Sequence, residues 1–153
     1  MRITLDSTVL VRAHQLATGP ARALLLALLE KGHRLVLSPS ILEEVDRVLR
    51  YPRLVKQFGL TDGDIAQYVA FLAASSEITP LGESLAAPIR DPNDLHVLQT
   101  AISGGVEYLC TLDEDFKETL VVSYCANRGV TVISDLDLLR LVRQPTSEGE
   151  SNE

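Results

Sequence analysis

Asp6, Glu44, Asp94 and Asp113 are the residues whose type and setting suit chemistry, provided the fold brings them together. Like charges at close range raise one another's pKa, so a carboxylate cluster is unfavourable without a cation. A hard divalent ion, Mg²⁺ or Mn²⁺, resolves the conflict because it prefers oxygen ligands and keeps several waters. Such an ion activates a water, holds a phosphate oxygen and stabilises charge on a leaving oxygen. It also lets an acidic site accept a polyanion. Metal-assisted phosphodiester hydrolysis is the reaction class that follows. Each acid alone has a plainer explanation: Asp6 and Asp113 as caps, Glu43 and Glu44 as a solvated helix face, Asp91 as an Asp-Pro turn, Asp94 as a helix N-cap. Those explanations do not predict that four acids should gather at one place.

The elements that would gather them are legible as an alternation of strands and helices. Strands are expected at residues 2–5 (RITL), 34–37 (RLVL), 108–112 and 130–133, with a weaker one at 77–79. Helical segments are expected from Thr8 to about Ala17, from Pro20 to about Lys31, and from Ser38 until Pro52 breaks the run. Further helices begin at Thr61 and at the Asp91-Pro92-Asn93-Asp94 turn, and others cover about 119–127 and 135–143. Strands separated by helices imply right-handed crossovers and an α/β fold of three layers, Rossmann-like, around a mainly parallel sheet of four or five strands. Ligand sites in such sheets lie beyond the carboxyl ends of the strands. Asp6 follows the first strand and Asp113 follows YLCTL, while Glu44 and Asp94 reach the same edge from nearby helices.

The chain of 153 residues, 46% hydrophobic, is long enough for one domain, expected over 1–143. The remaining residues, 144–153, are polar and acidic, and a disordered tail is expected there. No stretch has the apolar length of a bilayer span, and MRITLDSTVL lacks the features of a secretory signal, so a cytoplasmic protein is expected. Cys110 and Cys125 show no metal-ligand spacing and read as small core residues. The net charge of −7 hides an asymmetry: residues 1–60 hold nine Lys/Arg against five Asp/Glu, the remainder five against sixteen. Arg47, Arg50, Arg53 and Lys56 recur every three residues, a cluster able to hold a phosphate backbone but more simply read as a solvated helix face. His14, His33 and His96 are expected in surface or packing roles. His96 stands two positions from Asp94, which on a regular helix is a different face.

In order along residues 2–143, four motifs carry a family resemblance. The start Leu5-Asp6-Ser7-Thr8-Val9-Leu10 is similar to L-D-T-N-V-L. The segment Ser38-Pro39-Ser40-Ile41-Leu42-Glu43-Glu44-Val45 is similar to S-P-x-x-x-x-E-L. Asp91-Pro92-Asn93-Asp94, with Leu98 and Ala101, is similar to D-P-x-D-x-x-x-L-x-x-A. Residues 108–116 are similar to Y-L-x-T-x-D-x-D-F. Together they resemble the PIN-domain ribonucleases, particularly the toxins of bacterial VapC-like toxin–antitoxin pairs. The resemblance implies a PIN-like fold with Asp6, Glu44, Asp94 and Asp113 as catalytic, metal-binding acids around one or two Mg²⁺ or Mn²⁺ ions. Asp115 is a fifth acid, either a ligand or a group orienting one, and Glu43 is the register alternative to Glu44. It further implies an RNA substrate, a cognate antitoxin protein and a possible homodimer. The chain has Thr8 where the family usually has Asn, a shorter polar reach. That departure keeps a catalytically weak RNA- or protein-binding domain as an alternative, and a strand-terminal Asp keeps a metal-dependent phosphatase as another.

Overall fold

The computed structural model describes residues 1–145, and the expected disorder of the tail falls largely on residues 146–153, outside the described residues. Five strands, β1 (Arg2–Leu5), β2 (Arg34–Leu37), β3 (Glu77–Ile78), β4 (Tyr108–Cys110) and β5 (Thr131–Ile133), form one sheet in the order β3-β2-β1-β4-β5. Every pairing is parallel, with Ile3 opposite Leu35 and Leu5 opposite Cys110. The order reverses direction between β1 and β4, so the crevice at their carboxyl ends is the expected place for a ligand. Ile3, Thr4 and Leu5, like Leu35, Val36 and Leu37, are all buried, so both faces of the sheet are covered as a parallel sheet requires.

Among the described residues eight α-helices supply the cover: α1 (Ser7–Val11), α2 (Pro20–Glu30), α3 (Pro39–Leu49), α4 (Pro52–Phe58), α5 (Asp62–Ser75), α6 (Leu95–Ser103), α7 (Thr119–Ala126) and α8 (Asp135–Arg143). Among the described residues no helix is long and apolar enough to cross a membrane. Proline opens three of them at the first turn, where its missing N–H costs nothing. Ser38 caps α3, and Thr61 with Asp64 forms a reciprocal capping box on α5. Helix α3 buries Ile41, Val45 and Leu49 at helical spacing, leaving Glu44 on the flank that faces the sheet edge. Cys110 and Cys125 are buried free thiols.

Helix α6 lies against β1, β2 and β4. Its seat is fixed by Gly104: a Cβ there would stand 2.5 Å from Val36 Cγ1 and 3.0 Å from the Thr100 carbonyl. Arg2 clamps the same turn, donating from Nε and Nη2 to the Gly104 carbonyl at 3.1 and 2.6 Å while Nη1 reaches Glu77 at 2.7 Å. First strand, third strand and α6 are thereby tied at the end remote from the acids.

Three expectations change. Pro52 does end α3, but it also opens α4, a helix that stays hidden when proline is read only as a stop. The helix expected to run to Ala17 stops at Val11. The chain there turns, the Leu16 N–H goes to the His14 ring at 3.1 Å, and Tyr68 takes the Leu10 carbonyl. Strand β4 ends at Cys110 rather than Leu112, because the Thr111 side chain turns into the crevice and Asp113 caps a 3₁₀ turn over Glu114–Lys117.

Candidate metal centre

Asp6 enters the crevice directly from β1, its N–H continuing the ladder to the Cys110 carbonyl at 2.9 Å. The carboxyl is buried and held at both oxygens. Thr111 Oγ1 donates to Oδ2 at 2.7 Å, and Ser7 Oγ lies 3.2 Å from Oδ1. Burial pushes the Asp6 carboxyl above its ordinary range, the two hydroxyls oppose that rise, and the charges of Glu44 and Asp113 add to it. Thr111 also accepts the Asp113 N–H at 3.1 Å, which commits its proton to Asp6. One threonine thus sets two acids on adjacent strand ends.

Asp94 closes a 3₁₀ turn over Pro92–Asp94 that Asp91 caps by accepting the Asn93 N–H at 2.9 Å. Asp113 accepts the Asp115 N–H at 2.9 Å, folding the loop after β4 back on itself. As a result, Asp94, Asp113 and Asp115 each present a carboxylate oxygen within 4.8 Å of the others. Asp94 registers the crowding. Its carboxyl is pushed up to about 7, first by burial, then by the charges of Asp113, Asp91 and Asp6, and by its hydrogen bonding with Asp113.

Glu44 stands beside this group with its Oε2 doubly occupied. Ser7 Oγ donates to it at 2.6 Å, and His96 Nε2 lies 2.8 Å away. The hydrogen bond from His96 holds the Glu44 carboxyl below its ordinary range against the pull of partial burial, helped by Ser7 and the His96 and Arg47 charges. The other ring nitrogen, His96 Nδ1, meets Ser40 Oγ at 3.0 Å. Glu43 is exposed on the same helix and does not take the inward position.

The structure therefore draws Asp94, Asp113 and Asp115 into one group, with Asp6 joined to it through Thr111 and Glu44 joined to Asp6 through Ser7. Ser7, Thr111 and His96 also belong to the site; Ser7 and Thr111 fall at the hydroxyl positions of the L-D-T-N-V-L and Y-L-x-T-x-D-x-D-F motifs, whereas nothing in the spacing marks His96. His96 is a correction: Asp94 sits on a tight 3₁₀ turn and α6 begins only at Leu95, so the helical-face argument that separates residues 94 and 96 does not apply. The packing role holds for His14, which is buried edge-on against Phe58. Thr8 is exposed and borders a neighbouring cavity.

The donor set suits a hard divalent cation. It offers carboxylate oxygens without thiolate, and oxygens facing one another across Mg²⁺ are about 4.2 Å apart, close to the spread seen here. The upward push on the Asp94 carboxyl, from burial first and from neighbouring acids second, is one that a bound cation would relieve.

A sequence pattern described as PIN domain matches residues 2–115. No curated protein matches. Among solved structures, a chain of VapBC2 from Rickettsia felis bound to a DNA fragment from their promoter has the same fold. It aligns with a TM-score of 0.58 and 16% identity over 88% of this chain and 98% of that one.

Proposed function

Since the chain belongs to the PIN-domain family, by a match over three quarters of its length, we propose that it is a divalent-metal-dependent endoribonuclease that hydrolyses RNA phosphodiesters. The observation that carries this reading is the convergence of Asp94, Asp113 and Asp115 within 4.8 Å at the crevice where Asp6 leaves β1. The likeness to a chain of a VapBC2 complex supports a further step, that it is the toxin of a toxin–antitoxin pair, restrained by a protein antitoxin; the cytoplasm is its proposed place of action.

In this reading Asp6, Asp94 and Asp113 hold Mg²⁺ or Mn²⁺, with Asp115 as a further ligand or orienting group and Glu44 at the border. The cation supplies charge neutralisation toward a phosphate and Lewis acidity for hydrolysis. The protein's own residues do the rest. Thr111 holds Asp6 Oδ2, while the single Ser7 proton is shared between Glu44 Oε2 at 2.6 Å and Asp6 Oδ1 at 3.2 Å. Glu44, ionised and with Oε2 taken by Ser7 and His96, presents Oε1 as its free acceptor. Asp94 must release the proton it holds up to about pH 7 before it can ligate.

Incubating the protein with RNA and, separately, with a phosphomonoester, each in Mn²⁺ or EDTA, tests the reading. RNA cleavage in Mn²⁺ alone is expected. Turnover of only the phosphomonoester would assign the site to a phosphatase.

A further inference from the structure

Resting on that reading, the geometry points to a nucleotide subsite beside the acid crevice: the cavity between α1, α3 and α4 receives the nucleotide next to the cleaved phosphate, with Arg12 and Arg53 on its backbone. Two cavities meet at Glu44. One, of about 530 Å³, contains Asp94, His96 and Arg47. The other, of about 340 Å³, shares Ser7 and Glu44 with the acid crevice and is also lined by Thr8, Arg12 and Arg53. A strand whose phosphate lies at the acids can reach the second cavity past Ser7 and Glu44, which line it.

Charge identifies the occupant. Of the basic residues that recur through α3 and α4, Arg50 is spent on Asp46 and Asp62 at 3.1 and 2.7 Å. Arg12 and Arg53 make no ion pair among the described residues, in a chain of net charge −7. Two guanidiniums without an ion pair among the described residues, lining a cavity that shares Ser7 and Glu44 with the acid crevice, suit a polyanion, because Arg grips phosphate oxygens bidentately. The lining also includes Val48, Leu54 and Phe58, apolar side chains against which the face of a base can leave water. The volume is at the small end of ligand pockets, enough for one nucleotide rather than a packed helix.

The test measures binding apart from cleavage. Anisotropy of a fluorescent single-stranded RNA is followed with the full chain in Ca²⁺, for the wild type, the double variant Arg12→Gln/Arg53→Gln, and Arg140→Gln on distant α8. The double variant is expected to bind at least about tenfold more weakly, with the salt slope lowered by about 0.7 for each phosphate that is no longer neutralised. Arg140→Gln is expected to stay within about twofold. An unchanged affinity and slope in the double variant, or no RNA binding by the wild type, overturns the subsite. So does a double variant that keeps RNA affinity but loses a co-expressed protein partner, which gives the cavity to a protein. Binding that behaves as expected with no cleavage in Mn²⁺ leaves the subsite standing and removes the nuclease reading instead.

Discussion

His96 Nε2 lies 2.8 Å from Glu44 Oε2, while its Nδ1 meets Ser40 Oγ at 3.0 Å. An ionised carboxylate only accepts, so Nε2 must carry a hydrogen, and Ser40 completes the other side of the ring. The contact ties α6 to α3 and fixes which oxygen of Glu44 is free. A side chain whose spacing suggests only packing thereby orients an acid of the site.

Removing that orientation should be measurable in metal affinity. With Glu44 as a border ligand of the cation, a partner that orients it changes metal binding or activity by about 10–100-fold when removed. His96→Ala is expected to weaken Mn²⁺ binding, measured by calorimetry, within that range. His96→Gln, whose amide nitrogen can stand near the place of Nε2, is expected to recover a substantial part. Equal affinities in wild type and His96→Ala would show that Glu44 needs no support from the ring.

The Asp94 carboxyl predicts the pH dependence of the metal-free protein. Folded, it holds its proton to about pH 7; unfolded, only to about 4. Between those values the folded state binds more protons, so stability falls as pH rises and the full cost is present above 7. A fully shielded carboxyl displaced that far would carry roughly 4 kcal/mol, and partial exposure reduces this to about 1–2 kcal/mol. In EDTA, Asp94→Asn should melt about 2–8 °C above wild type at pH 7.5 and level with it near pH 4. Parallel melting curves across that range would show that crowding does not raise the Asp94 carboxyl.

Cation binding should run the other way. Mn²⁺ competes with the Asp94 proton, so its affinity is expected to rise from pH 6 to 8, with proton release in calorimetry and a metal-dependent rise in Tm. Affinity independent of pH would mean that Asp94 is not a ligand.

Gly104 tests the seating of α6. A methyl group there collides with Val36 and crowds the Thr100 carbonyl, so Gly104→Ala should cost about 1–3 kcal/mol and lower Tm by about 3–10 °C. A melting temperature equal to wild type would show that α6 can shift freely on β2.

The sheet and most helices are legible in the sequence because proline, glycine and capping hydroxyls mark their ends and apolar runs mark the strands. Asp6 and Asp113 can be placed because they follow strands, and a parallel sheet sends strand ends to one edge. Ser7 and Thr111 stand at hydroxyl positions of the motifs, but only the fold shows that one bridges Asp6 to Glu44 and the other Asp6 to Asp113. His96 is hidden by the assumption of a regular helix through residue 94. Helix α4 is hidden by Pro52, whose ring ends one helix and starts the next. The basic cluster also needs coordinates, since spacing alone does not distinguish Arg50, held in ion pairs, from Arg53, facing a cavity.

Hydrolysis of RNA by this acid cluster with a divalent cation is tested most directly by the ends of the products. Wild type and Asp113→Asn are incubated with one single-stranded RNA in Mn²⁺, and the fragments are analysed by mass spectrometry. Attack by water predicts 5′-phosphate and 3′-hydroxyl ends from the wild type and almost no product from Asp113→Asn. Fragments ending in 2′,3′-cyclic phosphate, or an Asp113→Asn variant that cuts at the wild-type rate, would contradict it.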